Sequence, residues 1–201
     1  MHAPSRRDGR RILSLWFPRL STERIWRQRL GRAWRSAGSK NPPLVISHRE
    51  KNTQRIAALD ERAEALMLKC GMGIADARAM YPSIEIIEAD PEADRRLIDA
   101  LADWCDRYTP LVALDGMDGM FLDITGCASL FGGERAMLDD IVSRFFGQGF
   151  DVRAALASTP GAAWAAARFA SEALIIEPGE EQLFLDKLPL AALRLDPDTR
   201  A

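Results

Sequence analysis

Histidine and cysteine are scarce in this 201-residue chain, and long apolar runs are absent. The two histidines, His2 and His48, are too far apart in the sequence to form a histidine-rich metal site by themselves. The three cysteines, Cys70, Cys105 and Cys127, are odd in number and lack metal-ligand spacing, so we expect reduced thiols in a cytoplasmic protein. Without a run of about 18 apolar residues, no transmembrane helix is expected. The apolar stretch from Ile12 to Phe17 is too short and too interrupted for a signal peptide.

Basic residues are concentrated at the start of the chain. The first 40 residues contain eleven arginines and lysines but only two acidic residues, so the remainder is acidic. Such a segment can neutralise phosphates, and Arg24, Arg27 and Arg35 are candidates for contacting DNA or a partner protein. Arg168, much later in the chain, is a fourth candidate. The other interpretation is a solvated helix face. Trp26 and Trp34 lie among these arginines, where they suit either stacking on bases or core contacts.

Hydrophobic periodicity and turn residues divide the chain into strands and helices. With 47% hydrophobic and 28% charged residues, the composition suits a globular protein of one large domain or two small ones. The first half predicts strands at 11–17, 43–47 and 53–59 and helices at 21–34, 60–68 and 74–80, with Ser21 capping the first helix. The second half predicts strands at 83–88, 111–115, 121–125 and 152–157, helices at 92–108 and 134–146, and helical sequence after Pro160.

The order of these elements predicts an α+β fold. Together with the first strand, the second half gives β…β-α-β-β-α-β, a ferredoxin-like arrangement. The segment inserted after the first strand is expected to form a separate small lobe. A ferredoxin-like sheet hosts many functions, so this fold alone does not decide an activity.

Three segments carry a more specific resemblance. Leu114–Gly126 (LDGMDGMFLDITG) is similar to the S-x-D-E-x-x-L-D-x-T stretch of Y-family translesion DNA polymerases. The segment 12–23 lies where that family has its first strand, D-x-D-x-F-F-x-x-V-E, and 71–82 resembles the signature that ends its fingers. The chain is therefore identified as resembling a Y-family polymerase over nearly its whole length.

The resemblance implies a division into polymerase subdomains. It implies a palm formed by residues 1–20 and 81–165, with fingers inserted at 21–80. Residues 166–201 would begin a helical thumb that is truncated, and the little finger and C-terminal region would be absent.

The family's catalytic carboxylates are mostly missing from this chain. A two-metal enzyme holds its ions roughly 3.5–4 Å apart with hard oxygen ligands, and the family supplies these from two neighbouring strands. Counted without gaps, the four acidic positions become Ser14, Trp16, Asp118 and Gly119. Only the vestigial Asp118 keeps a carboxylate, so no catalytic residues and absent or weak magnesium binding are expected.

The family's nucleotide-binding residues are also replaced. The fingers positions that hold the triphosphate fall at Glu61 and Glu64, and the aromatic residue that screens the sugar falls at Arg19. Carboxylates at these places repel a triphosphate. The family's two later lysines fall at Ala162 and Ala166 without gaps, and Arg168 replaces the second only if a small gap intervenes.

These losses resemble the inactive Y-family members found in bacterial damage-induced mutagenesis cassettes. That resemblance implies a non-catalytic scaffold linking a sliding clamp, the RecA-like protein ImuA and an error-prone C-family DNA polymerase, with weak, salt-sensitive DNA binding. One alternative is an active nucleotidyltransferase that uses Asp115, Asp118 and Asp123. A second is a ferredoxin-like enzyme with one of the three cysteines as its nucleophile.

Overall fold

The computed structural model describes residues 9–37 and 41–194 of the chain, which divide into two compact units. The first unit comprises the described residues of Met1–Pro18, Ile98–Arg144 and Val152–Ala201. The second comprises the described residues of Arg19–Leu97 together with Phe145–Asp151. Within this described part, no helix combines the length and the apolar character that crossing a bilayer requires.

Strands and helices alternate along the described chain. The strands are β1 (Ile12–Trp16), β2 (Leu44–Glu50), β3 (Thr53–Leu59), β4 (Glu85–Glu88), β5 (Val112–Asp115), β6 (Gly119–Asp123), β7 (Arg153–Ala157) and β8 (Leu174–Ile175). The α-helices are α1 (Leu20–Leu30), α2 (Glu61–Ala65), α3 (Ile74–Met80), α4 (Pro91–Cys105), α5 (Glu134–Gly147), α6 (Pro160–Phe169) and α7 (Glu181–Leu185). Short 3₁₀ helices occupy Trp34–Ala37, Ala128–Phe131 and Leu190–Leu193.

The first unit is built on a five-stranded sheet with the order β5-β6-β1-β7-β8. Strand β1 pairs antiparallel with both β6 and β7, β5 pairs antiparallel with β6, and β7 pairs parallel with β8. The succession β1-α4-β5-β6-α5-β7 is the β-α-β-β-α-β series of a ferredoxin-like fold. The predicted α+β class and ferredoxin-like sheet are therefore confirmed.

Both faces of the central strand β1 are covered, which explains its almost continuous apolar sequence. Leu13 and Leu15 point to one face and are buried in the core. On the other face, Ile12 packs with Ala155 and Ala157 of β7 against helix α6. The residues of α6 in this cluster are four buried alanines, Ala162, Ala163, Ala166 and Ala167. Helix α6 begins at a favourable cap, because the Thr159 side chain accepts a hydrogen bond from the Ala162 backbone N–H at 3.3 Å.

The second unit is built on a three-stranded sheet with the order β3-β2-β4. The strand predicted at 83–88 forms β4, which pairs parallel with β2, so its assignment to the ferredoxin-like series is wrong. The first strand of that series is β1. In the smaller sheet Ile86 pairs with Val45 and packs against the core that Val45, Ile56 and Leu59 share, and this burial decides the partner of β4.

Two helices of the second unit are shorter than the sequence predicts. Helix α1 ends at Leu30 instead of continuing to residue 34, because Gly31 adopts a φ of 77° and donates its N–H to the Arg27 carbonyl. Ser21 is not its cap: the Ser21 hydroxyl donates to the Asp94 carboxylate at 2.7 Å. Helix α2 covers only Glu61–Ala65 and is capped by Asp60, which accepts from the Ala63 N–H at 2.8 Å.

Candidate functional site

The four positions predicted to correspond to lost or vestigial metal ligands lie together in the first unit. Strands β1 and β6 are neighbours, with Trp16 opposite Gly119 and Ser14 opposite Phe121. Alternation along the strands therefore places Ser14, Trp16 and Gly119 on one face of the sheet. Asp118 directly precedes β6, and its carbonyl accepts a hydrogen bond from the Phe17 N–H at 2.8 Å. The sheet therefore brings together the positions that the sequence comparison singled out.

Trp16 binds the one carboxylate that survives among these positions. Its indole Nε1–H donates to Asp118 Oδ2 at 2.9 Å. Ser14 is buried, and its hydroxyl oxygen has no hydrogen-bond partner among the described residues. Within the same described part of the chain, no group of three histidine, cysteine or acidic side chains is arranged to hold a metal ion.

Two arginines neutralise the acidic end of β5. Arg168, near the end of α6, places Nη2 3.3 Å from Asp115 Oδ2 and 3.9 Å from Asp118 Oδ1. Arg194 places Nη2 2.6 Å from Asp115 Oδ1. Asp115 is therefore held between two guanidinium groups, and fixed cations of the protein stand beside the carboxylates of this face.

Aromatic rings hold the Arg168 side chain in place. Its guanidinium carbon lies 4.4 Å from the centre of the Trp164 ring and 5.2 Å from that of Trp16. Burial lowers the pKa of Arg168, with Asp115 and Asp118 acting in the opposite direction and Arg194 adding to the lowering. An arginine keeps its charge even so, because its ordinary pKa lies above about 12. We define Trp16, Asp115, Asp118, Arg168 and Arg194 as the arginine-filled site.

Gly119 has no space for a side chain beside this site. A Cβ atom there would lie 3.2 Å from Arg168 Nη2, 3.1 Å from the Asp115 carbonyl oxygen and 3.3 Å from the Leu15 carbonyl oxygen. These contacts are tighter than ordinary van der Waals separation, and two of the three atoms belong to the backbone. The position at which the resemblance places an acid is therefore packed closed.

Asp123 lies at the other end of the β5–β6 hairpin. Asp115 is opposite Gly119, whereas Asp123 donates its backbone N–H to the Leu111 carbonyl, four residues further along β6. At a rise of about 3.3 Å per residue, the two ends are separated by roughly 13 Å. Burial raises the pKa of Asp123, but hydrogen bonds from Thr125 and the interaction with Arg10 outweigh this effect and lower the pKa overall. Asp115 and Asp118 are neighbours, but the structure does not bring Asp123 to them.

The residues at the predicted nucleotide-binding positions form an ion pair in the second unit. Arg19 Nη2 lies 2.5 Å from Glu64 Oε2, and Arg19 Nη1 lies 2.9 Å from Asp151 Oδ2. Burial alone would lower the pKa of Arg19, but Glu64, Asp151 and Glu61 raise it overall. The structure thus brings Arg19 and Glu64 together, with Glu61 close enough to act electrostatically.

The arginines predicted to contact DNA differ in whether they already form ion pairs with acidic residues of the same unit. Arg24 pairs with Asp94 at 2.6 Å, and both side chains are largely buried. Arg35 pairs with the buried carboxylate of Glu23. Arg27 forms no ion pair with any described residue and lies 4.1 Å above the ring of Phe150.

The two tryptophans of the basic segment make internal contacts in the second unit. Trp26 is buried, and its indole N–H donates to Asp60 at 3.2 Å. Trp34 is half-buried and stacks on Trp26 with ring centres 6.3 Å apart, while its N–H donates to the Gly149 carbonyl at 2.9 Å. Of the two uses that the sequence leaves open for this pair, the geometry favours core contacts.

Cys70 and Cys105 lack the low pKa that a nucleophile needs. Burial raises the pKa of Cys105 to about 12, and its Sγ lies 3.7 Å from Met120 Sδ. Cys70 is exposed, yet partial desolvation and the charge of Glu64 raise its pKa. Reactive cysteines sit instead in electropositive surroundings that lower the pKa.

Sequence reasoning missed one member of the arginine-filled site and gave another a different role. It considered Asp115 only as a replacement metal ligand and did not consider Arg194, which lies 79 positions away along the chain. No local pattern identifies such a pairing. One signal was available, since Trp164 and Arg168 are four residues apart on a predicted helix and therefore share a face.

The fold of the chain matches that of the palm domain of Y-family DNA polymerases. It superimposes on the post-insertion binary complex of Dbh DNA polymerase with a TM-score of 0.72, covering 91% of this chain and 53% of that one at 18% identity. DinB from Sulfolobus solfataricus matches with a TM-score of 0.67, covering 91% and 53% at 18% identity. At such low identity, these matches establish the fold alone.

Sequence comparison defines the family. Residues 35–168 match the sequence profile of the impB/mucB/samB family, and the chain belongs to that family. It is 53% identical over 125 residues to Protein ImuB of Caulobacter vibrioides, covering 62% of this chain and 27% of that protein. It is 28% identical over 141 residues to DNA polymerase IV 2 of Mesorhizobium japonicum, covering 69% of this chain and 34% of that protein. The chain thus spans between a quarter and about a third of the length of these curated relatives.

Proposed function

We propose that this chain is the polymerase-like part of a non-catalytic scaffold for damage-induced mutagenesis, similar in role to ImuB. The family membership and the 53% identity to Protein ImuB support a role in mutagenic DNA repair. The arginine-filled site supports the absence of catalysis.

The observation that carries the proposal is the position of Arg168. A two-metal site needs carboxylates that bridge two divalent ions roughly 3.5–4 Å apart. Here a guanidinium lies within 3.3 Å of Asp115 and 3.9 Å of Asp118, where its positive charge opposes the approach of a cation. The serine, tryptophan and glycine at positions 14, 16 and 119 supply no compensating charge.

The polymerase subdomains provide the surfaces of the proposed scaffold. Residues 1–20 and 81–165 would form the palm, apart from β4, which pairs with β2 in the smaller sheet. Residues 21–80 would form the fingers and 166–201 the start of the thumb. We propose that the scaffold joins a sliding clamp, the RecA-like protein ImuA and an error-prone C-family DNA polymerase on DNA. Direct DNA binding would be weak and salt-sensitive, because it rests on the arginines left without internal acids.

Primer extension tests the catalytic part of the proposal. The protein is incubated with primed template, all four deoxynucleotides and Mg²⁺ or Mn²⁺, beside an active Y-family polymerase at equal concentration. We expect no extension above the protein-free background and no difference between the wild type and Asp118→Ala. Metal-dependent extension that Asp118→Ala abolishes would instead establish the nucleotidyltransferase.

A pull-down tests the scaffold part. The immobilised protein is offered the clamp, the RecA-like protein and the C-family polymerase, each separately and with or without primed DNA. We expect retention of at least one of the three proteins without DNA. Retention only when DNA is present would indicate a DNA-binding module instead of a scaffold.

A further inference from the structure

A basic cleft lies beside the C-terminal half of α1, within the second unit. Its volume is about 360 Å³, and it is lined by Arg24, Arg27, Gln28, Gly31, Arg32 and Ala93. The spacing of residues 24, 27, 28 and 31 places them on one face of the helix. Three of the six lining residues are arginines, and none is acidic.

Two of these arginines lack a direct ion-pair partner among the described residues. Asp94 neutralises Arg24 at the edge of the cleft. Within the described part of the chain, Arg27 and Arg32 make no ion pair, and the buried Arg27 Nε has no hydrogen-bond partner. Burial lowers the pKa of Arg27 and the charge of Arg32 lowers it further, while Glu23 acts in the opposite direction. An anion bound between Arg27 and Arg32 would relieve this repulsion.

The rest of the lining indicates which kind of anion fits. Gln28 adds a neutral hydrogen-bonding group, while Gly31 and Ala93 add no large apolar side chain. Acidic peptide segments normally dock with aromatic or aliphatic anchors beside their charges, and none of the six lining residues is an aromatic or a large aliphatic partner for such an anchor. A nucleic-acid backbone needs none, since guanidinium groups bind its phosphate oxygens in a planar, forked geometry.

We propose that this cleft binds a backbone phosphate of DNA through Arg27 and Arg32. The inference rests on the proposed function, because it assigns a position to the DNA contact of the scaffold. It also separates the predicted arginines: Arg27 contacts DNA together with Arg32, which the sequence analysis did not select, whereas Arg24 and Arg35 serve internal ion pairs.

Fluorescence anisotropy with a labelled oligonucleotide tests the assignment across a range of salt concentrations. The variants are Arg32→Gln, which changes an exposed side chain without an ion pair, and the double variant Arg27→Gln/Arg32→Gln. Arg135→Gln/Arg144→Gln is the matched control, since it removes two exposed arginine charges from α5. Arg27→Lys keeps the positive charge at this position, and it is used if loss of the contact between Arg27 and Phe150 perturbs folding in the double variant.

We expect Arg32→Gln to weaken binding about three- to tenfold at low salt and the double variant more than tenfold. The slope of log affinity against log salt should become shallower by about one to two. The control pair should change affinity less than threefold.

Four outcomes oppose the inference. Equal loss in the control pair, or no loss in the double variant while the wild type still binds DNA, would remove the cleft from the interface and leave the proposed function standing. No DNA binding by the wild type would contradict both. Displacement of the oligonucleotide by polyglutamate of equal charge, with the same dependence on Arg27 and Arg32, would assign the cleft to an acidic peptide.

Discussion

Replacing Arg168 by methionine removes the guanidinium beside Asp115 while keeping an unbranched side chain between the two tryptophan rings. Asp115 is 9% exposed and Arg168 13% exposed, so the pair is largely withdrawn from water. Breaking a buried pair normally costs about 3–5 kcal/mol when it leaves an uncompensated charge. Asp115 keeps Arg194 at 2.6 Å, so we expect a smaller loss of about 2–3 kcal/mol, including the lost cation–π contact with Trp164.

A double-mutant cycle measured by urea unfolding isolates the interaction. Combining Arg168→Met with Asp115→Asn should give a coupling energy of about 1–3 kcal/mol. Combining Arg168→Met with Asp118→Asn should give about 0.5 kcal/mol or less, because Asp118 is 48% exposed and lies 3.9 Å from the guanidinium. The exposed pair Arg135 and Asp139 on α5 provides a control, with a coupling of about 0.3–0.5 kcal/mol.

The order of the two couplings is decisive. A coupling to Asp115 no larger than that to Asp118, or indistinguishable from the control, would refute the view that Arg168 is fixed mainly by the buried acid at the end of β5. Such a result would mean that Asp115 does not hold the Arg168 guanidinium permanently in the site.

Three further expectations follow from other contacts. Gly119→Ala should destabilise the protein by about 1–3 kcal/mol in urea unfolding, since its Cβ would meet three atoms at 3.1–3.3 Å. Gly161→Ala is the control and should be neutral or stabilising, because a Cβ there has open space. Equal effects of the two substitutions would contradict the close packing around Gly119. Burial raises the pKa of Glu23 from 4.5 to about 7, so its protonation stabilises the fold below about pH 4.5, and this contribution is lost as the pH rises through 7. The wild type should therefore lose about 2.5 kcal/mol more than Glu23→Gln between pH 5 and pH 8, and parallel pH profiles of unfolding free energy would disprove this. Cys105 is fully buried, and burial raises its pKa to about 12, so it should react with a thiol reagent only at the rate of unfolding. Rapid labelling of a thiol in the native protein that is absent from Cys105→Ser would contradict this burial.

The sequence predicted the elements around the site better than their partners. Apolar alternation identified β1, and the motif around Asp118 identified the hairpin, because both signals are local. The partner of β4 depended on a core contact with Val45 that a four-residue strand does not reveal. The early end of α1 was readable in principle, since Gly31 is a typical helix terminator, but the helix was predicted to continue through it to residue 34.

For the site, the resemblance supplied positions but not interactions. It placed Ser14, Trp16 and Gly119 where acids are missing, and the sheet brings those positions together. It gave no indication that Trp16 would donate to Asp118 or that Arg194 would reach Asp115. Such contacts join residues far apart in sequence, so they follow only from the assembled fold.

The alanine face of α6 has an evolutionary consequence. Ala162 and Ala166, where a gapless comparison places the family's lysines, are completely buried against β1 and β7. A long charged side chain at either position would have to lift the helix off the sheet, and with it the arginine at its end. On the proposed non-catalytic role, gaining polymerase activity would thus demand several coordinated substitutions, because a lysine introduced first at either position would destabilise the fold.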